Sequence, residues 1–94
     1  MAIVEKINRA GGTGRGFDYL IYSPGDKTHI VFDERWTFNG DYEKPTFRPS
    51  MLVNANIPGA VRSHFFVTEG KIQYLSDCGH ELAGKTIDMV DVDW

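Results

Sequence analysis

RSHFFVTEGKIQYLSDCGH, residues 62–80, contains two strand-like runs on either side of Glu69 and Gly70. Apolar and polar residues alternate in both runs, which is typical of half-buried β-strands. A short turn at Glu69 and Gly70 would fold the second run back onto the first as an antiparallel hairpin. The register of this hairpin decides which side chains meet, because a slip of one residue moves every side chain to the other face.

Two registers fit the sequence, and the first has the two-residue loop Glu69-Gly70 with Thr68 paired to Lys71. The apolar side chains then share one face: Phe65, Val67, Ile72 and Tyr74. The polar side chains share the other face: His64, Lys71, Gln73 and Asp77. Ser63 and Cys78 fall on the buried side in this register.

In the second register, residues 68–70 form a type I turn with Gly70 as a left-handed bulge, and Val67 pairs with Lys71. Asp77 then turns away from His64. Turn chemistry favours the second register, since Glu is a poor first residue of a type I′ turn, whereas the apolar alternation favours the first. We favour the first register because burial normally fixes a strand more firmly than turn preference does.

The remainder of the chain also reads as short strands separated by segments rich in Gly, Pro, Asn and Asp. The predicted strands are residues 3–8, 17–22, 29–32, 47–53, 64–68, 71–75 and 86–92. A short helical turn fits only residues 77–82, where Gly84 is placed to end it. The sequence predicts one mainly β domain over residues 1–94, either a small antiparallel sandwich or a half-open barrel.

Composition and charge restrict the classes of partner. The 94 residues carry a formal net charge of -3, which argues against nucleic acid because binding to nucleic acid requires a basic face. The sequence has no signal-peptide pattern and no apolar run of spanning length, so we expect no membrane association. A single cysteine suits a reducing cytoplasm. Exposed strand edges are compatible with a homodimer but leave the oligomeric state open.

One group of candidate residues suggests a metal site. His64, Cys78 and His80 carry the imidazole and thiolate donors that zinc prefers. The Cys-x-His spacing is a weak signal, because a structural zinc site normally uses two close pairs and the second pair is missing. The alternative is that Cys78 is a small buried apolar residue and His80 a loop residue.

A second group suggests hydrolysis. Ser50 at the start of an apolar strand is a candidate nucleophile, His64 its base, and Asp77 the residue that orients His64 in the first register. Glu43 is a candidate general base for a metal-bound water. The alternatives are local: serine is common at strand entrances, and Glu43 lies in what reads as a solvated turn.

Two longer blocks carry a resemblance: WTFNGDYEKPTFRPSMLV (residues 36–53) and SHFFVTEGKIQYLSDCGHELAGKTIDM (residues 63–89). Together they resemble a family of small phage and prophage proteins of unassigned function. Related domains occur in bacterial operons that encode ubiquitin-like conjugation machinery, where they are proposed to be peptidases. The resemblance extends from Tyr22 onward, and it implies a protein or peptide partner in the cytoplasm of a bacterial host cell.

The chain departs from the family pattern at three cysteine positions. The pattern implies four thiolates in a structural zinc site, but this chain has Ser23, Asp26 and Ser63 at three of those positions and keeps only Cys78. Serine hydroxyls are poor zinc ligands, so we expect this structural zinc to be absent.

The sequence and the resemblance together predict a small hydrolase-like domain, a peptidase acting on a protein tail or a ubiquitin-like precursor. In the Ser/His version Ser50 attacks, His64 transfers the proton, and Asp77 or His80 orients His64. In a metal-assisted version the ligands are His64, His80 and either Cys78 or Asp77, and Glu43 activates water. The alternative is a non-enzymatic phage accessory module that binds a host protein.

Overall fold

The protein is described by a computed structural model that covers residues 2–8, 17–54 and 57–93. Within these ranges the chain forms eight strands. They are β1 (Glu5–Asn8), β2 (Phe17–Ser23), β3 (Thr28–Phe32), β4 (Thr37–Phe38), β5 (Phe47–Val53), β6 (Ser63–Thr68), β7 (Lys71–Tyr74) and β8 (Thr86–Asp88). The described residues contain no helix, and therefore none with the length and apolarity that a membrane crossing requires.

The strands form two antiparallel sheets, one in the order β1-β2-β3 and the other in the order β4-β5-β6-β7-β8. Alternate residues are buried in β2, β3, β6 and β7, and their apolar side chains form one core together with Phe47 and Met51 of β5. The Phe32 ring of the small sheet stacks on the Phe47 ring of the large sheet with centroids 4.2 Å apart. The prediction of a mainly β fold is confirmed, and the arrangement is that of a small sandwich rather than a closed barrel.

The hairpin of β6 and β7 has the first of the two predicted registers. Thr68 pairs with Lys71 and Phe65 with Tyr74, so the favoured register is confirmed. Glu69 and Gly70 both have positive φ, 48° and 79°, as a type I′ turn requires. The burial of the apolar face therefore outweighs the cost of placing Glu69 in the left-handed region.

Three elements differ from the sequence prediction. The strand predicted over residues 86–92 ends at Asp88, after which Met89 N donates to Gly70 O and Val92 N to Ala2 O. Residues 77–82 form successive turns instead of a helical turn. The two-residue β4 was not predicted, because alternation cannot be recognised over so short a run.

An irregularity in β5 lies at the centre of the large sheet. Phe47 pairs with Val67 and Met51 with Phe65, so the three residues 48–50 stand opposite the single residue Phe66. The Arg48-Pro49 peptide within this bulge is cis. Bulges redirect side chains at functional sites, and this one is followed directly by regular pairing from Met51 onward.

Candidate active site

Ser50 and His64 meet on the outer face of the large sheet, away from the core. Ser50 lies on β5 and His64 on the neighbouring β6, where Leu52 is the residue directly opposite His64. The two side chains therefore form a diagonal cross-strand pair. Ser50 Oγ lies 2.9 Å from His64 Nε2, and both residues are partly buried. This distance is that of a hydrogen bond between a nucleophile and its base.

Asp77 reaches the other nitrogen of the same ring. Its Oδ2 lies 3.2 Å from His64 Nδ1. Asp77 follows β7 in a segment that stays beside β6: Leu75 N donates to His64 O at 2.9 Å, and Gly79 N donates to Arg62 O at 2.7 Å. These two main-chain hydrogen bonds hold Asp77 next to the first residues of β6.

Cys78 strengthens this attachment through its thiol. Its Sγ lies 3.2 Å from both the backbone nitrogen and the backbone oxygen of His64, so it accepts from the first and donates to the second. The side chain is half-buried and packs against the core. Cys78 therefore turns toward the backbone of His64 and joins the loop that carries Asp77 to β6.

The hydrogen bonds select the tautomer of a neutral His64 ring. Desolvation by itself would raise the pKa of Asp77, but hydrogen bonds from His64 and Arg62 outweigh it, and the pKa is lowered from its ordinary value. An ionised Asp77 can only accept, so Nδ1 of His64 carries the proton. In a neutral ring Nε2 is then left without a proton and accepts the hydrogen bond from the Ser50 hydroxyl. This is the tautomer in which a histidine can act as a general base toward serine.

Arg62 is a further member of the site that the sequence analysis did not identify. Its Nη2 and Nε donate to Asp77 Oδ2 at 2.9 Å and 3.2 Å, the same oxygen that accepts from His64. Both side chains are a little under half exposed, at 44% and 43%. Arg62 precedes His64 by two residues, so the strand period of two was the signal that could have placed both on one face.

His80 lies apart from Ser50 and His64 in the hydrogen-bond network. Leu82 N donates to His80 Nδ1, so in a neutral ring Nε2 carries the proton and donates to Ser63 Oγ at 3.1 Å. Its ring packs edge-on against Tyr74, and a β-carbon at Gly25 would collide with it. The structure thus gives His80 bonds on the inner side of β6, whereas His64 faces outward.

The positions where the resemblance implies cysteines converge near Tyr74. Ser23 Oγ lies 2.6 Å from Asp26 Oδ2 and 2.7 Å from Tyr74 OH, and Ser63 is joined to Tyr74 through the His80 ring. Burial raises the pKa of Tyr74 and outweighs the opposing hydrogen bonds, so the phenol stays protonated. Hydrogen bonds thus join Ser23 and Asp26 to the Tyr74 hydroxyl, and the His80 ring, which is bonded to Ser63, packs against the Tyr74 ring.

Glu43 lies at the other end of β6 from His64. Its backbone oxygen is close to Gly70 in the turn after β6, and its backbone nitrogen donates to Asp41 Oδ1 at 2.9 Å. His64 and Thr68 are separated by four strand residues, or about 13 Å. The structure brings Ser50, His64 and Asp77 together and leaves Glu43 at a distance from them.

Among the residues that the structure describes, no three His, Cys, Asp or Glu side chains are grouped as ligands for a metal ion. His64 and His80 point to opposite sides of β6, and the Cys78 thiol bonds to the backbone of His64. The metal-assisted mechanism stays a prediction that metal analysis of the purified protein can test.

Comparison with known proteins identifies one family model that matches this chain. The family model "Bacterial ubiquitination-like system serine protease (BubE)" matches residues 24–75, more than half of the 94-residue chain. The matched range contains Ser50 and His64 and ends shortly before Asp77. The chain has no significant match among curated proteins or among solved structures. The chain belongs to the BubE family, whose members are described as serine proteases of bacterial ubiquitination-like systems.

Proposed function

We propose that the protein is a serine peptidase in which Ser50 is the nucleophile, His64 the general base and Asp77 the residue that orients His64. The observation that carries this proposal is the continuous chain of hydrogen bonds from Ser50 Oγ through the His64 ring to Asp77 Oδ2. Membership of a serine protease family supports it independently.

The chemistry follows from the tautomer. Ser50 Oγ forms a bond to the carbonyl carbon of the scissile peptide while its proton passes to His64 Nε2. His64 then gives that proton to the amine nitrogen as the C–N bond breaks, which leaves an ester on Ser50. Water attacks the ester and gives a proton to His64, which returns it to Ser50 Oγ as the carboxylic acid leaves. Asp77 stays ionised and stabilises the imidazolium formed in both steps.

The substrate that we propose is the extended tail of a ubiquitin-like precursor. The family description supplies the ubiquitination-like context. The site also lies on the outer face of a sheet, and an extended chain with few bulky residues could reach the Ser50 hydroxyl there. A folded domain could remain outside while its tail is cut, which suits a peptidase of 94 residues.

The test is cleavage of a purified ubiquitin-like precursor by the full chain, followed by mass spectrometry. Ser50→Ala and His64→Ala should each lower kcat/KM by on the order of a thousandfold or more, because each removes a group that takes part in bond formation. Ser76→Ala is the matched control, since it removes an exposed serine hydroxyl from the loop before Asp77. If Ser50→Ala processes the precursor as fast as the parent, the proposal is wrong.

A fluorophosphonate reagent gives a second readout that needs no knowledge of the substrate, because it reacts with activated serine hydroxyls. We expect one label per chain, located on Ser50 and lost in His64→Ala. Activity that survives in Ser50→Ala but is removed by a chelator would support the metal-assisted version with Glu43. A stable complex with the precursor without any cleavage or labelling would support the binding module.

A further inference from the structure

The large sheet has an open edge along the end of β5, from Leu52 onward, next to Ser50 in the chain. β4 covers only the beginning of β5, where Thr37 pairs with Arg48 and Phe38 with Phe47. Before Thr37 the chain leaves the sheet in a turn, in which Trp36 N donates to Asp33 O at 3.1 Å. The second half of β5 therefore has β6 on one side and no described strand on the other.

The main chain of Leu52 points toward this open edge. Leu52 stands opposite His64, but the His64 nitrogen is bonded to the Cys78 thiol and the His64 oxygen accepts from Leu75 N. Both main-chain groups of His64 are thus directed toward β7, so this is a non-hydrogen-bonded pair, and the N–H and C=O of Leu52 point away from β6. The carbonyl of Ser50 points the same way, since it accepts from Trp36 Nε1 at 3.3 Å.

The chemistry of the site is compatible with a substrate on this same side. A nucleophilic oxygen lies between its base and the carbon that it attacks, because it loses its proton to the first while bonding to the second. The base of Ser50 is His64 on β6. The scissile carbonyl therefore does not approach Ser50 from the β6 side, and a peptide that lies along the open edge of β5 satisfies this condition.

We infer that the substrate segment next to the scissile bond binds as an added strand along β5, with its main chain hydrogen-bonded to the N–H and C=O of Leu52. Strand addition to a sheet edge gives affinity through the main chain and leaves specificity to alternate side chains. The side chain of Leu52 is 44% exposed and lies on the outer face next to Ser50 and His64, so it is placed to contact an apolar substrate residue. This inference rests on the proposed function.

The other edge of the large sheet serves as an internal control. Among the strands that the structure describes, β8 (Thr86–Asp88) pairs with β7 alone, so it also offers an open edge. It lies three strand spacings from β5, or about 14 Å, which is too far for a peptide bound there to reach Ser50 through its neighbouring residues. Binding at β8 would therefore reflect the general tendency of exposed sheet edges to pair with extended chains.

The first experiment uses the Ser50→Ala variant, so that binding is measured without cleavage. Amide hydrogen exchange is followed by NMR with and without a short synthetic peptide that carries the tail sequence of a ubiquitin-like precursor. We expect exchange at the Leu52 amide to slow at least about tenfold under saturating peptide, as for a newly formed hydrogen bond. Tyr74 N donates to Lys85 O and Met89 N to Gly70 O, so Ile87 faces β7 and the amides of Thr86 and Asp88 point to the open edge of β8. Exchange at these two amides should change little. Equal protection at both edges, protection at β8 alone, or no protection would overturn the inference.

A second experiment leaves the protein unchanged and alters the peptide. In an added strand every second amide points toward the neighbouring strand, so N-methylation at those positions should weaken binding by roughly tenfold or more each. Methylation at the intervening positions should have a much smaller effect. A methylation profile without alternation would contradict strand addition. Because binding is measured on Ser50→Ala, this result is separate from the question of whether the parent chain cleaves the precursor.

A pair of variants connects the two experiments. Leu52→Pro removes the main-chain N–H at the proposed contact, whereas Leu52→Ala removes only the side chain. We expect Leu52→Pro to lose most peptide binding and Leu52→Ala to lose it by no more than a few-fold. If Leu52→Pro does not fold, as judged by its NMR spectrum, the N-methylated peptides still decide the matter.

Discussion

The shared oxygen of Asp77 leads to a specific expectation for Asp77→Asn. Arg62 and His64 both donate to Oδ2 of Asp77. An asparagine side chain offers one oxygen and one NH2 group, and either could face the His64 ring. With its oxygen at the shared position, the introduced amide satisfies both donors and keeps the proton on Nδ1. With its NH2 group there, the amide would meet the Arg62 guanidinium and force the opposite histidine tautomer.

The exposure of the Arg62 and Asp77 side chains limits how strongly Arg62 can favour one orientation of the introduced amide. Ion pairs between side chains as exposed as Arg62 and Asp77 contribute at most about a factor of five to an equilibrium. We therefore expect Arg62 to favour the productive orientation of the introduced amide about fivefold. Asp77→Asn alone should lower kcat/KM by about ten- to hundredfold, because the negative charge beside the imidazolium is lost. This is less than the loss on the order of 10⁴ that accompanies a wrong tautomer.

The assay is a double-mutant cycle on precursor cleavage. Arg62→Ala alone should lower kcat/KM only about twofold, since an ionised Asp77 has no unproductive orientation. Combined with Asp77→Asn, Arg62→Ala should cost about twofold more than the product of the single effects, because a fivefold change in the orientation equilibrium lowers the productive fraction only from about five sixths to about one half. Arg62→Lys in the same background should restore part of the loss, because Lys also only donates.

Nitrogen NMR of His64 gives a structural readout that activity alone cannot provide. In Asp77→Asn the proton should remain mostly on Nδ1, and in the double variant it should move toward Nε2. The reasoning is refuted if the two losses simply multiply, or if the His64 ring of Asp77→Asn already carries its proton on Nε2 while Arg62 is present.

Three further predictions concern stability. Glu69→Asn should raise stability by about 0.5–1 kcal/mol, measured by denaturant unfolding, because Asn-Gly suits a type I′ turn better than Glu-Gly does; an unchanged midpoint would contradict this. Tyr74→Phe should lower stability by about 1–3 kcal/mol and leave precursor cleavage near the parent rate, since it removes a buried hydroxyl bonded to Ser23 and to a main-chain N–H. The pKa of Asp77 is lower in the folded chain than the ordinary value of about 3.9. The ionised Asp77 therefore stabilises the fold fully above a pH of about 3.9, and this stabilisation is lost as the pH falls through the folded-state pKa. The difference in thermal midpoint between the parent and Asp77→Asn should accordingly shrink in acid, and a difference that grows would reverse the assigned sign.

Much of the fold follows from local sequence patterns. The alternation of Phe65, Val67, Ile72 and Tyr74 predicted the hairpin and its register, because only one register buries all four side chains. The same register predicted that His64 and Asp77 share a side. Alternation could not predict β4, since a two-residue strand is too short to show it. It could not predict the end of β8 either, because Met89 and Val92 form hydrogen bonds with distant segments of the chain.

The strand-rich fold and the favoured hairpin register could be predicted from the sequence, because they depend on spacing along one or two strands. The sequence named Ser50, His64 and Asp77 only within a larger set of candidates that also held His80, Glu43 and Cys78. The fold of the whole chain was needed to show that His80 faces the opposite side of β6, that Arg62 shares the oxygen of Asp77, and that β5 has an open edge from Leu52 onward. These features depend on a bulge, on loop paths and on the length of a neighbouring strand. All three are set by contacts between residues far apart in the chain, which a pattern within one segment cannot encode.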